Sequence, residues 1–131
     1  MVQPDGQLVV AGSTTVKTDM AVTRLNPDGS PDTSFDGDGT SRADFGSYDS
    51  GYAAALQPDG KIVIAGYTTV TSNGHYDFAV ARFNPSGPAD TTLDETFDGD
   101  GKKTFGYGGD DAARAVLAQA DGKLVLAGYI P

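Results

Sequence analysis

Two loops of the same composition hold the residues best suited to chemistry: Phe35-Asp36-Gly37-Asp38-Gly39 and Phe97-Asp98-Gly99-Asp100-Gly101. Each sets two aspartates two residues apart on a glycine-rich reversal. Hard cations such as calcium gather several carboxylate and carbonyl oxygens, so Asp36, Asp38, Asp98 and Asp100 are the candidate calcium ligands. The loops fall short of an EF-hand, because they lack its third aspartate in register and its closing bidentate glutamate. The same residue order suits a tight turn in which aspartate accepts backbone hydrogen bonds, and that is the preferred reading.

Catalytic residues are poorly supplied. The single histidine, His75, lies in a Ser-Asn-Gly-His-Tyr-Asp loop that varies between the two copies of the unit described below. A serine triad would therefore place its base in the least constrained part of the chain. Without cysteine there is no thiolate nucleophile, no disulfide and no cysteine-bound zinc, and no Gly-rich phosphate loop occurs. Asp110-Asp111 offers paired carboxylates, but glycoside hydrolysis needs a cleft and a set separation, and adjacent strand residues point to opposite faces. No catalytic or cofactor-binding residue is assigned, and the chain is expected not to be an enzyme.

Composition narrows the partners. Of 131 residues, 18 are acidic and 9 basic, for a net charge of −9. Nucleic acid and anionic membrane surfaces are thereby disfavoured. All the acids but Glu95 are aspartate, the acid of turns. No run approaches the roughly 18 apolar residues of a membrane span, and Met1 is followed by Val-Gln-Pro-Asp-Gly with no signal-like segment. Eighteen glycines and seven prolines spread along the chain disfavour long helices.

The elements that must position these loops are set by a repeat. Gln3-Pro-Asp-Gly-Gln-Leu-Val-Val-Ala-Gly12 recurs as Gln57-Pro-Asp-Gly-Lys-Ile-Val-Ile-Ala-Gly66 and as Gln119-Ala-Asp-Gly-Lys-Leu-Val-Leu-Ala-Gly128. Spacings of 54 and then 62 residues differ by two four-residue insertions, before the Asp-Phe-Ala-Val segment and before the Phe-Asp-Gly-Asp-Gly loop, which marks both as surface loops. In each anchor the Pro-Asp-Gly reversal predicts a three-residue hairpin with glycine at positive φ. The run after it is apolar on both faces, as a strand between two layers must be. In the next strand, Phe78, Val80 and Arg82 alternate with Ala79, Ala81 and Phe83. Lys102–Gly106 and Thr40–Gly46 supply a short fourth strand, and the segments from Gly51 and Ala112 a leading one. Ala112–Ala118 has helix-forming composition but is read as a strand, since it runs directly into a hairpin. Arg24 and its counterpart Arg82 are expected to pair with turn aspartates.

Four antiparallel strands repeated at this period describe a propeller blade. The fold class is therefore all-β: a single β-propeller segment over residues 1–131, with repeat units beginning near residues 3, 57 and 119, the last incomplete, and about two blades' worth of strands. The ordered series of QPDGKIVIAG, DFAVARFNPSG and TFDGDG, followed by an Asp-rich approach to the next anchor, resembles the bacterial delta-60 repeat family across essentially the whole chain. Ala120 in place of proline and the two insertions depart from it in loops only. The resemblance implies propeller repeats in large, often secreted or surface-associated bacterial proteins, with no catalytic residues to carry over. It makes the expected role a structural or interaction scaffold, extracellular or at the cell surface. The expected partners are further blades, in cis or by self-association, because propellers close as rings, together with a protein or glycan ligand. The alternative is a carbohydrate-binding or glycan-hydrolysing propeller that uses the Asp-rich loops.

Overall fold

The computed structural model describes residues 1–16, 18–70, 72–89 and 91–131. Among these, no helix forms and nine strands follow in order: β1 Leu8–Ser13, β2 Met20–Leu25, β3 Thr40–Ala43, β4 Asp49–Leu56, β5 Ile62–Thr69, β6 Tyr76–Phe83, β7 Lys102–Phe105, β8 Ala112–Ala118 and β9 Leu124–Tyr129. They make three antiparallel sheets, ordered β1-β2-β3, β4-β5-β6-β7 and β8-β9. The four-strand unit expected of each repeat is complete only in the middle sheet. β8 is a strand despite its helix-forming composition, because it pairs along its length with β9 through the Gln119–Gly122 turn.

The hairpins form for the reason their residues suggest. In the turn between β4 and β5, Gly60 N donates to Gln57 O at 2.9 Å and Gln57 N to Lys61 O at 2.8 Å. Gly60 adopts φ +86°, which a side chain resists. Asp59 Oδ1 accepts from Lys61 N at 3.2 Å, and Asp5 and Asp121 serve the other two turns in the same way.

The sheets lie face to face, with the middle one shared. Ile62, Ile64, Ala79, Ala81 and Phe83 turn toward the first sheet and enclose a core with Val9, Met20, Val22, Phe35 and Ala43. Val63, Ala65 and Val80 turn the other way and pack with Ala113, Val116, Leu124 and Leu126 of the third. Five successive β5 residues, Ile62–Gly66, are buried, and so β5 reads as a continuous apolar run rather than an alternation.

The last residue of the Ala-Gly pair has its own cause. β4 and β8 each carry a bulge, with the register shifting between Gly51 and Ala53 and between Ala113 and Ala115. Just ahead of the bulge, the leading strand's backbone presses on its neighbour: a Cβ on Gly66 would lie 1.8 Å from Ser50 O, and one on Gly128 2.0 Å from Ala112 O. Around Gly12, beside which no leading strand runs, nothing lies within 4 Å. Gly66→Ala is therefore expected to cost about 3 kcal/mol or more through overpacking against backbone, and Gly12→Ala to stay within about 0.5 kcal/mol. Chemical denaturation of the two variants measures the difference.

Candidate functional site

The strand register places the polar residues at two ends of the sheets. At the end of the Pro-Asp-Gly turns, an arginine from β2 or β6 meets the loop that follows its own strand. Arg24 Nε donates to Asp32 Oδ2 at 2.7 Å, and Arg82 Nε to Asp94 Oδ2 at 2.7 Å. The guanidinium carbons stand 5.1 Å from the Phe35 ring centre and 4.8 Å from that of Phe97. The other oxygen of each aspartate takes a hydroxyl, from Ser34 at 2.7 Å and from Thr96 at 2.6 Å. Arg24 also donates from Nη1 to Pro85 O, which ties the first sheet to the second. The expected pairing of both arginines with turn aspartates is thus realised, within a motif of Asp, Ser or Thr, and Phe that sequence reasoning had not singled out as a unit.

The four calcium candidates are found in turns beyond this knot. Asp36 is buried at φ +56° and accepts from Thr92 Oγ1 at 3.1 Å. Asp38 Oδ1 accepts from Thr40 N at 2.8 Å, and Asp100 Oδ1 from Lys102 N at 2.9 Å. Asp98, at φ +54°, bonds Lys103 Nζ at 2.9 Å. Each carboxylate has a hydrogen-bond or ion-pair partner, within its own unit for Asp38, Asp98 and Asp100 and from the next unit for Asp36, and none belongs to the group of three that could close on an ion. Among the described residues that group is Asp19, Asp44 and Asp49, with ligand oxygens all within 4.8 Å of one another.

This triad lies at the opposite end, between the first two sheets. Burial, opposed by bonds from Thr68 and Phe45 N and reinforced by the charges of Asp44 and Asp19, raises the Asp49 carboxyl above the usual range. One unit on, Asp77 and Asp111 take the places of Asp19 and Asp49 while Gly106 replaces Asp44. Tyr107 N donates to Asp111 Oδ2 at 2.7 Å, as Phe45 N does to Asp49 Oδ2 at 2.8 Å. Ile130 stands where Thr68 supplies a hydroxyl to Asp49, and Asp111 Oδ1 is left buried without a partner. Burial, with the Asp111 charge adding to it, also raises the Asp77 carboxyl. The signal for Asp19 and Asp49 was their recurrence as Asp77 and Asp111; Asp44 carried none.

The same end carries a cluster of tyrosines. Tyr52 and Tyr67 have ring centres 5.6 Å apart, and Tyr67 and Tyr76 4.5 Å apart. Arg114 stands over Tyr52 at 4.1 Å and over Tyr129 at 5.4 Å. Among the other aromatics, Phe45 packs on the first core, while Tyr48, Phe105 and Tyr107 are exposed. His75 Nδ1 lies 3.0 Å from Asp110 Oδ1, with both side chains about half exposed. At the turn end, a cleft of about 870 Å³ is lined by residues including Gln3, Arg24, Leu56, Gln57 and Pro85. Gln57 Nε2 reaches across to Gly122 O at 2.8 Å.

Charge state gives these knots a pH signature. Burial works to raise the Asp94 carboxyl, but the Thr96 hydroxyl, Lys61, the Thr96 amide and Arg82 outweigh it and pull the pKa to about 2. A carboxyl lower in the folded than in the unfolded chain stabilises above the unfolded value near 3.9, and that contribution is lost as pH falls toward about 2. Asp49 and Asp77, raised instead, work the other way: protonation on acidification relieves them. Asp94→Asn is expected to lower stability at pH 7 by about 2 to 3 kcal/mol and to flatten the loss of stability between pH 4 and pH 2. Urea midpoints across that range give the measurement.

Comparison with curated proteins gives no match. The described residues include no helix long and apolar enough to cross a membrane. A family profile covers two stretches, residues 3–35 and 57–97. Each begins at an anchor glutamine and ends on the phenylalanine beneath the arginine, so the profile follows the unit that the structure repeats. On that match the chain belongs to the beta-propeller family described as a domain of unknown function, DUF5122.

Proposed function

We propose that this protein is a non-enzymatic module of a bacterial secreted or surface protein, built from propeller blades of the delta-60 type and serving as a scaffold for assembly and binding. One observation carries the reading: the outer faces of the first and third sheets are copies of faces that the middle sheet buries. Val10 on β1 is 55% exposed where its counterpart Ile64 is fully buried, and Val125 on β9 is 46% exposed where its counterpart Val63 is fully buried. Each sheet presents its Ile62-type face to the preceding unit and its Val63-type face to the following one. The first sheet's outer face therefore fits the third sheet's outer face of another unit, in a head-to-tail contact. The only described histidine pairs with an exposed aspartate in a loop, which supplies no nucleophile and base in the arrangement that acyl transfer needs.

Light scattering on a size-exclusion column tests the reading. The wild-type chain is expected to associate in a concentration-dependent way, and Val125→Lys to leave monomers with a cooperative melt. A wild-type chain that stays monomeric at the highest attainable concentration would contradict it.

A further inference from the structure

Among the described residues, every lysine and arginine except two is ion-paired with an aspartate: Arg24, Lys61, Arg82, Lys102, Lys103 and Lys123 all are. The exceptions are Arg42 and Arg114. In a chain carrying eighteen acidic residues, a guanidinium left without a carboxylate is unusual. Arg114 is also the residue that falls within the β8 bulge, between Ala113 and Ala115, as Tyr52 falls within the β4 bulge, between Gly51 and Ala53. A bulge re-aims the side chain it inserts. Here the two inserted side chains, from equivalent positions of successive units, are brought together.

We propose that Arg114 and the tyrosines around it form a binding subsite for a sugar bearing a single carboxylate, a uronate unit within an otherwise neutral glycan. The guanidinium carbon lies over the Tyr52 ring, 4.1 Å from its centre, and over the Tyr129 ring, 5.4 Å from its centre, so two rings hold it in place. Among the described residues its N–H groups meet no acceptor, and a planar fork of donors held this way suits the two oxygens of a carboxylate. Contact with two rings also restricts the rotation that a free arginine would lose on binding.

The tyrosines extend the subsite. Tyr52, Tyr67 and Tyr76 run from the arginine as tilted rings, their centres 5.6 and 4.5 Å apart. Each joins an apolar face to a hydroxyl, the combination that the C–H face and hydroxyls of a pyranose require. Burial, then the neighbouring Tyr52, Tyr76 and Tyr129, raises the Tyr67 phenol above its ordinary value, so it remains a donor at neutral pH. Tyr52 and Tyr129 are 44% and 42% exposed, which leaves them within reach of a ligand. The net charge of −9 repels polyanions, so one carboxylate on a neutral chain fits this surface better than a phosphate-rich partner.

The inference rests on the reading of the module as a binding frame, and the experiment keeps the two separable by recording solution mass beside binding. Isotope-edited NMR would titrate the whole chain with a disaccharide carrying one glucuronate, its methyl ester, inorganic phosphate and an acidic dipeptide. Saturable millimolar binding of the glucuronate, with shifts centred on Tyr52, Arg114 and Tyr129, is expected. The methyl ester and Arg114→Gln should each weaken it ~10-fold. Arg114→Lys, which keeps the charge and loses the fork, should recover little of it, and Arg42→Gln should leave it unchanged. Absence of binding, equal binding of the ester or of phosphate, tighter binding of the dipeptide, or undiminished binding by Arg114→Gln would each overturn the proposal.

Discussion

A strand that is apolar on both faces must be covered on both sides, and β5 imposes that condition on the rest of the chain. Ile62 and Ile64 point to one neighbouring sheet and Val63 and Ala65 to the other, and all four are fully buried. Each of the three branched side chains contributes about 1.5 to 3 kcal/mol when removed from water. Three strands before β4 and two after β7 supply the two covers. Because the covers are copies of the covered sheet, their own outer faces repeat the condition outward. The scaffold reading follows from that translation of one interface along the chain, as in other repeat architectures.

Polar groups fix the register of the layers where apolar packing alone would let them slide. The Arg24 guanidinium is bound by Asp32 and Ser34 of its own loop and by the carbonyl of Pro85 in the loop that follows β6 of the next sheet. Breaking such a pair leaves a charge buried and uncompensated. Gln57, through its bond to Gly122 O, makes a second tie between successive units. At the other end, buried Asp19, Asp49 and Asp111 lie with exposed Asp44 and half-buried Asp77 at the same junctions, with Asp49 and Asp77 raised by desolvation and like charge. One end of each junction is held by compensated charge and the other carries charge held at a cost.

The repeat made much of the fold legible in the chain. Gln57–Gly66 announced a hairpin and a two-faced strand, and the alternation of Phe78, Val80 and Arg82 with Ala79, Ala81 and Phe83 predicted which side chains the two cores would receive. The arginine and aspartate pairing was legible because a charge among apolar neighbours demands a partner. The tyrosine and arginine cluster was not. It depends on a bulge, which inserts one residue without a sequence mark, and on the meeting of Tyr52 with Arg114, equivalent positions holding unlike residues. The Asp19, Asp44 and Asp49 group was only half legible: Asp19 and Asp49 recur one unit on as Asp77 and Asp111, but Asp44 has no acidic counterpart, and nothing in the sequence brings Asp19 to the other two. The Asp-Gly-Asp-Gly loops stood out instead; in them Asp38 and Asp100 accept turn amides, Asp98 pairs with Lys103 and Asp36 bonds Thr92 of the next unit.

The most direct test of the layered account is residue-resolved amide hydrogen exchange at neutral pH, because it ranks strands by the cover they receive. If both faces of β5 are buried between neighbouring sheets, the amides of β5 and β6 should exchange only through global unfolding. Those of β2, central in its sheet but covered on one face, should exchange faster, and β1 and β9 fastest. Protection in β5 no greater than in β1 or β9 would contradict the account.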